Sequence, residues 1–230
     1  MDHGQRTPAP RPPTAADCRP VSGSSHKSES GIYLAGTGSF AAEVAGWARD
    51  AGLELAGLVE LLDARRVATT IHGLRVIAPE HAPPGATVAI AAGGERGDHW
   101  ALLAEHGWQA ATIVHPAATV ASSADIGGGT VVGPGAIVGA ETDVAEHVLL
   151  SRGALVGHHT QIGSFVSLLP GANVASHVQL GAGTTVGMGG IVVDHTTIGA
   201  GATVAAGAVV LRPVDRGVRV QGVPARPYAP

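Results

Sequence analysis

Histidine is the residue whose type and spacing first suggest chemistry. His159, His177 and His195 follow one another at eighteen-residue intervals, and His158 stands directly beside the first. An imidazole titrates near neutrality, so it can move a proton, and in its neutral form it can ligate a metal. A second group points to phosphate. Gly36-Thr37-Gly38 lies between an apolar run (31 to 36) and a helical pattern (40 to 51), where backbone amides at a helix start can approach an anion. Glu60 ends the next apolar run (54 to 59), twenty-four positions after Gly36, where a ribose hydroxyl or a base would be held. The third glycine of that fingerprint is replaced by Ala41, so a tight βα turn with no ligand is the alternative. A third group is Arg212, Arg216, Arg219 and Arg226, whose guanidinium forks suit phosphate oxygens, against the plain alternative of a solvated C-terminal face.

These residues hang on a repeat. From Val120 to Val210 an aliphatic residue falls at every sixth position, sixteen times without a miss. At a hydrophobic content of 45% such a run would arise by chance about a few times in a million. The position four residues after each is small or β-branched, as in Ala124, Thr130, Ala136, Thr142, Thr160, Ala172, Thr184 and Ala202. A six-residue period fits neither a sustained helix nor a sustained strand. It suits short strands joined by tight corners in a stacked parallel coil. A spacing of eighteen then puts His159, His177 and His195 on one edge of successive coils, about 4.8 Å apart. Three stacked imidazoles could take up zinc, but a flat ladder presents its side chains in parallel rather than converging. An exposed stripe or a trimer-interface packing column is therefore the expectation, and no metal is expected.

Ahead of the repeat, the strand, glycine turn and helix are followed by further strands at 54 to 59 and 86 to 92. A helix over 98 to 105 and a short strand over 111 to 114 complete a small α/β unit. Residues 1 to 30, rich in Pro, Ser, Ala and Arg, read as a disordered tail carrying the single cysteine, Cys18, and the single lysine, Lys27. One cysteine excludes a disulfide framework and a cysteine-based zinc cluster. The formal net charge of −4 gives no electrostatic reason to bind nucleic acid or an acidic membrane. No long apolar run predicts a membrane span, and the polar start predicts no secretory signal, so the cytoplasm is expected.

The hexapeptide pattern resembles the hexapeptide-repeat acyltransferases, whose repeats form a left-handed parallel β-helix and which usually work as trimers with sites between subunits. A small α/β unit followed directly by an uninterrupted coil is similar to one branch, the bacterial acetyltransferases of nucleotide-linked 4-amino sugars and their sialic acid O-acetyltransferase relatives. The resemblance runs from about Gly31 to Pro227. It is carried by GTGSFAAEV (36 to 44), IVHPAATV (113 to 120), VGHHTQIG (156 to 163) and GVPARP (222 to 227). It implies a Rossmann-like acceptor unit over 31–114, with Gly36, Thr37, Gly38, Ser39, Phe40 and Glu60 at the nucleotide. It implies a left-handed β-helix over 115–211 and a C-terminal tail over 212–230 that helps bind CoA. It also implies that His158, two positions after a repeat aliphatic, is the general base, with His159 in its pair.

The same resemblance assigns Ser176, Met188, Gly189, Ala206, Arg212, Arg219, Val223, Pro224 and Arg226 to acetyl-CoA. Departures from the branch fall at three places. His159 stands where a carboxylate is usual, and Ser151 and Arg152 stand where asparagine and a small polar residue are common, which is expected to reshape the acceptor site. Phe40 and Glu60-Leu61 replace a histidine and an Asp-Asp pair, which bears on the nucleotide. The expected function is acetyl transfer from acetyl-CoA to the amine of a nucleotide-linked amino sugar. O-acetylation, or acylation of another small amine in secondary metabolism, is the near alternative. A zinc enzyme like the γ-class carbonic anhydrases and a non-catalytic nucleotide-binding trimer are the distant ones.

Overall fold

The computed structural model describes residues 31–94 and 96–228; the expected tail with Cys18 and Lys27 lies outside them. The chain builds a mixed sheet first and a parallel β-solenoid second. The sheet contains β1 (Ile32–Ala35), β2 (Leu55–Val59), β3 (Thr70–Ile71), β4 (Leu74–Ile77), β5 (Thr87–Ile90) and β6 (Gln109–Ala110). Their order across the sheet is β3-β4-β2-β1-β5-β6, parallel except for the β3–β4 hairpin. That hairpin was not anticipated. Its turn is His72-Gly73, both at positive φ (51° and 75°), the pairing that lets a two-residue turn match the twist of the flanking strands. Helix α1 (Ser39–Asp50) follows β1, and α2 (Arg96–Glu105) follows β5. The strand expected over 111 to 114 is divided. Gln109–Ala110 pairs with β5, whereas Ile113–Val114 pairs with Val131–Val132 and so begins the solenoid.

The solenoid turns through three faces per eighteen residues. Val132 pairs with Leu150, Val138 with Val156 and Val144 with Ile162, each pairing a parallel rung of two residues. The repeat aliphatics point inward, and from Val132 to Val210 all are buried. Their small or β-branched partners four positions on are buried too, because the interior of so thin a coil has no room for larger groups. The threonines among them are not orphaned. The hydroxyls of Thr130, Thr142, Thr160 and Thr184 donate to the carbonyls of Ala145, Gly157, Ala175 and Gly199 on the next coil, at 3.0 to 3.2 Å. The regular period ends after Val210. Ile198 bridges to Val214 and Val204 pairs with Val220, so the last coil is two residues shorter, and a hairpin of Arg219–Gln221 with Arg226–Pro227 closes the stack.

The two parts share a core. Ala41, Val44, Ala45, Trp47 and Ala48 of α1 pack with Ile113, Val131 and Leu149, outward-facing residues of the first coils that would otherwise meet water. Arg96 reinforces the junction. It is buried, and it donates to the carbonyls of Ile90, Ala92 and His147, tying the end of β5 to a coil corner. Burial pulls its guanidinium down to about 10. Among the described residues no helix is long and apolar enough to cross a membrane.

Candidate active site

From Gly129 to Gly207 each coil corner places one residue at positive φ, and these residues form three columns along the solenoid. One column is Gly135, Gly153, Gly171, Gly189 and Gly207. A second is Gly129, His147, Phe165, Gly183 and Gly201. The third is Glu141, His159, His177 and His195, at φ 54°, 56°, 58° and 53°. A left-handed conformation favours glycine, although histidine adopts it more readily than most residues. The histidine ladder read from the sequence is thus a column of corners.

His158 stands one position before that column, on a floor of glycine. A Cβ on Gly139 would lie 2.6 Å from the His158 backbone nitrogen, and one on Gly157 would lie 2.5 Å from that of Ser176. Only hydrogen fits there, so the corners stack backbone on backbone. Four exposed rings result. His159, His177 and His195 stack at centroid distances of 5.0 and 4.7 Å, while His158 meets His159 and His177 edge-on at 5.1 and 5.2 Å. His158 Nδ1 lies 3.0 Å from His159 Nδ1. One of these nitrogens must carry the hydrogen and the other must accept it. If His158 donates, its Nε2 has a free lone pair and His159 carries its own proton on Nε2. His177 is held below the usual histidine range by desolvation among its neighbours and by repulsion from His195, His159 and His158, with Asp194 opposing. The nitrogens that converge are those of His158, His159 and His177, all within 4.8 Å of one another, rather than the spaced trio weighed from the sequence.

Around this corner the predicted acceptor residues divide. Ser151 is buried, and its amide donates to the Leu168 carbonyl. Arg152 is half exposed and ion-paired with Glu43 of α1, so it links the coil to the helix that carries the GTGSFAAEV segment. At the base of the same helix His115 Nε2 lies 3.2 Å from Asp50 Oδ2.

A cavity of about 360 Å³ opens at the carboxyl ends of β1, β2 and β5 and the start of α1. Gly36, Thr37, Gly38, Ser39, Phe40 and Glu60 all line it, together with Asp63 and Arg66, which the sequence did not single out. Gly36 is required there: at φ 124° its missing Cβ would fall 2.8 Å from the Ala91 carbonyl oxygen. Glu60 does not project freely. Its carboxylate accepts from the Thr37 hydroxyl and from the amides of Leu62 (2.8 Å) and Asp63 (3.0 Å), and Arg66 donates to Thr37 at 2.9 Å. Burial raises its pKa, but these donors and the Arg66 charge outweigh that and hold it below the ordinary value. Three of about four lone-pair directions are already in use. Glu60 therefore clamps the loop after β2 onto the glycine turn, and Arg66 is the cavity's exposed cation.

The residues assigned to CoA are spread along the coil. Ser176 is the residue one coil beyond His158 at the same corner. Met188 is 56% exposed beside Gly189, and Ala206 follows one coil later in the same register. Arg212 and Arg226 come together in a second cavity, of about 420 Å³, at the closing end of the solenoid. Arg219, Val223 and Pro224 do not line it, and Val223 is 73% exposed in the terminal hairpin turn.

No family model matches the chain, and no curated protein matches it. Solved structures do. PerB from Caulobacter crescentus, in complex with CoA and GDP-perosamine, superposes with a TM-score of 0.80 at 27% identity, covering 88% of this chain and 99% of that one. The acetyltransferase domain of PglB from Neisseria gonorrhoeae FA1090 gives 0.77 at 29% identity, over 86% and 98%. WeeI from Acinetobacter baumannii AYE shares the fold, with a TM-score of 0.77 at 24% identity over 86% and 99%. Among the neighbours of this hexapeptide-repeat solenoid are thus the PglB acetyltransferase domain and a perosamine N-acetyltransferase from Caulobacter crescentus held with CoA and GDP-perosamine.

Proposed function

We propose that the protein transfers an acetyl group from acetyl-CoA to the amine of a nucleotide-linked amino sugar, with His158 as general base. The observation that carries this is the extent of the likeness. PerB and the PglB domain match 88% and 86% of this chain, spans that take in both the sheet and the solenoid, which supports a reading that uses the cavity at the glycine turn and the coil edge at His158 together. The glycine turn and Arg66 then receive the nucleotide, and the coil edge from Ser176 towards the Arg212 cavity receives CoA. The amine attacks the thioester carbon directly. The C–N bond forms, the C–S bond breaks, His158 Nε2 takes the amine proton, and CoA leaves as thiol once that proton is returned. Backbone amides of the corner stabilise the oxyanion.

The His158–His159 contact bears on the choice of acceptor. A neutral imidazole can orient His158 through Nδ1, but it cannot stabilise the imidazolium by charge as a carboxylate would. That suits an amine, which attacks with its lone pair and sheds a proton afterwards, better than a hydroxyl, which must lose its proton during attack. A homotrimer is consistent with Ile137, Leu155 and Ile191, exposed at 46%, 37% and 39% at one position of the repeat, a stripe interrupted by Asn173 on the coil between the last two.

The test is release of free thiol from acetyl-CoA with a panel of nucleotide-linked amino sugars, their free sugars and the matching hydroxy sugars. Turnover with a nucleotide-linked amine, lost by about 100-fold or more in His158→Ala, is expected. Near-full transfer by that variant would remove His158 from the role, and turnover only with hydroxy sugars would overturn the amine.

A further inference from the structure

We propose that His158, His159 and His177 form a binding site for a divalent transition metal of borderline softness, Zn²⁺ above all, and that its occupancy silences acetyl transfer by taking the lone pair of His158. The donor set is homogeneous, three imidazoles, the ligands such ions share. The geometry is close to that required. Two nitrogens bound to one tetrahedral Zn²⁺ at 2.0–2.1 Å lie about 3.4 Å apart. His158 and His159 already bring their Nδ1 atoms to 3.0 Å, and a nitrogen of His177 is within 4.8 Å of both. All three rings are exposed, so small side-chain rotations close the remaining gap without moving the coil, and the fourth position is open to water.

The corner column supplies a second observation. Gly135, Gly153, Gly171, Gly189 and Gly207 occupy the equivalent position along another edge, whereas this edge keeps imidazoles at His159, His177 and His195 in the conformation that favours glycine. Packing within the chain does not account for them, since none is buried in it. His195 stacks outside the trio at 4.7 Å from His177 and stays free of the ion. This metal is not the reaction's own: with the ion on Nδ1 the ring hydrogen of His158 sits on Nε2, which then has no lone pair to accept the amine proton. The silencing half rests on His158 being the base, whereas the binding half stands on geometry alone.

The full chain, stripped with a chelator, is dialysed against Zn²⁺, and Co²⁺ is added separately to read ligand number from its visible absorption. One ion per chain with a tetrahedral cobalt spectrum is expected. His177→Asn, a residue that tolerates the left-handed corner, is expected to weaken binding at least tenfold, while His195→Asn leaves it within twofold. In parallel, acetylated product is measured by mass spectrometry. Saturating Zn²⁺ is expected to lower the wild-type rate at least tenfold and a chelator to restore it, with His177→Asn active and resistant. Absence of bound metal, or undiminished binding by His177→Asn, overturns the site and leaves acetyl transfer standing. Zinc bound at this trio with transfer undiminished overturns the silencing and removes His158 as the base.

Discussion

Gly157→Ala tests whether the corner under His158 is as tightly specified as its geometry implies. The backbone of Gly157 is not left-handed, so alanine adds no conformational strain and its whole effect is contact. The new Cβ would lie 2.5 Å from Ser176 N and 2.6 Å from both Ala175 C and Ser176 Oγ. Ordinary contact with backbone atoms needs roughly 3.4 Å, so the next coil must rise by about 1 Å locally. That rise works against the rungs that hold it, Gly157 N to the Val174 carbonyl at 2.8 Å and His177 N to the His158 carbonyl at 3.0 Å. Overpacking of this kind costs about 1–3 kcal/mol. In a chain of this size that lowers Tm by about 3–10 °C. A displacement of about 1 Å at the base costs about 100-fold in rate. Gly128→Ala is the control, because its Cβ would meet nothing within 4 Å and its φ is unexceptional. Calorimetry and kcat/KM of the two variants read the difference. If Gly157→Ala melts within about 1 °C of the wild type and keeps more than about half its activity, the corner yields freely and the positioning argument fails.

Three further outcomes follow from the geometry. The pKa of Glu60 is depressed in the folded chain, so its contribution to stability is complete above the ordinary carboxylate value of 4.5 and is lost as pH falls through the folded value. Glu60→Gln should therefore lower Tm at pH 7, with the gap closing in acid; a gap independent of pH would refute the clamp. His147, stacked on Phe165 and against Trp100, is held below its usual pKa by desolvation, with Glu146 opposing and Arg96 reinforcing. The unfolded chain then takes up this proton first, so Tm should fall as pH drops below about 6.5, and less so in His147→Phe. An equal fall in the two would assign the effect elsewhere. Arg152→Ala breaks an ion pair that is half exposed on the arginine side, so stability should change by less than about 1 kcal/mol in urea titration. A larger loss would make the link between α1 and the coil more than a surface contact.

The solenoid was legible because a corner repeats its requirements: an inward aliphatic and a small partner recur every six residues, and each instance confirms the last. The glycine turn was legible for a different reason, since Gly36 meets a backbone limit that no other residue satisfies. What the sequence hid is pairwise and distant. The Arg66–Thr37–Glu60 network joins residues up to 29 positions apart, and Arg96 reaches His147 across 51, with no periodicity to announce either. Glu60 shows the limit best. Its place at the end of β2 was read correctly, but whether a carboxylate there faces a ligand or its own loop depends on the amides of Leu62 and Asp63, which only the folded turn brings to it. The β3–β4 hairpin escaped because His72-Gly73 is a less familiar turn pair than Asn-Gly, although histidine can take the same left-handed conformation.

The three corner columns carry the argument one step further. Where a corner only turns the chain, glycine is the least strained choice, and one column uses glycine at all five positions from Gly135 to Gly207. A side chain kept at such a corner therefore marks a contact that outweighs the strain. In the second column the departures are His147 and Phe165, which stack on each other while His147 also packs against Trp100 and is reached by Arg96, so this edge deviates where the sheet unit docks. In the third column the departures are Glu141, His159, His177 and His195, all exposed, so packing within the chain does not explain them. Docking accounts for one departing edge, and the chemistry proposed at His158 accounts for His159 and His177 on the other. The distinction can be measured: replacing His147 with glycine should loosen the junction and lower Tm, whereas His195→Gly should leave Tm unchanged or raise it. The reverse order would show that the histidine edge is structural.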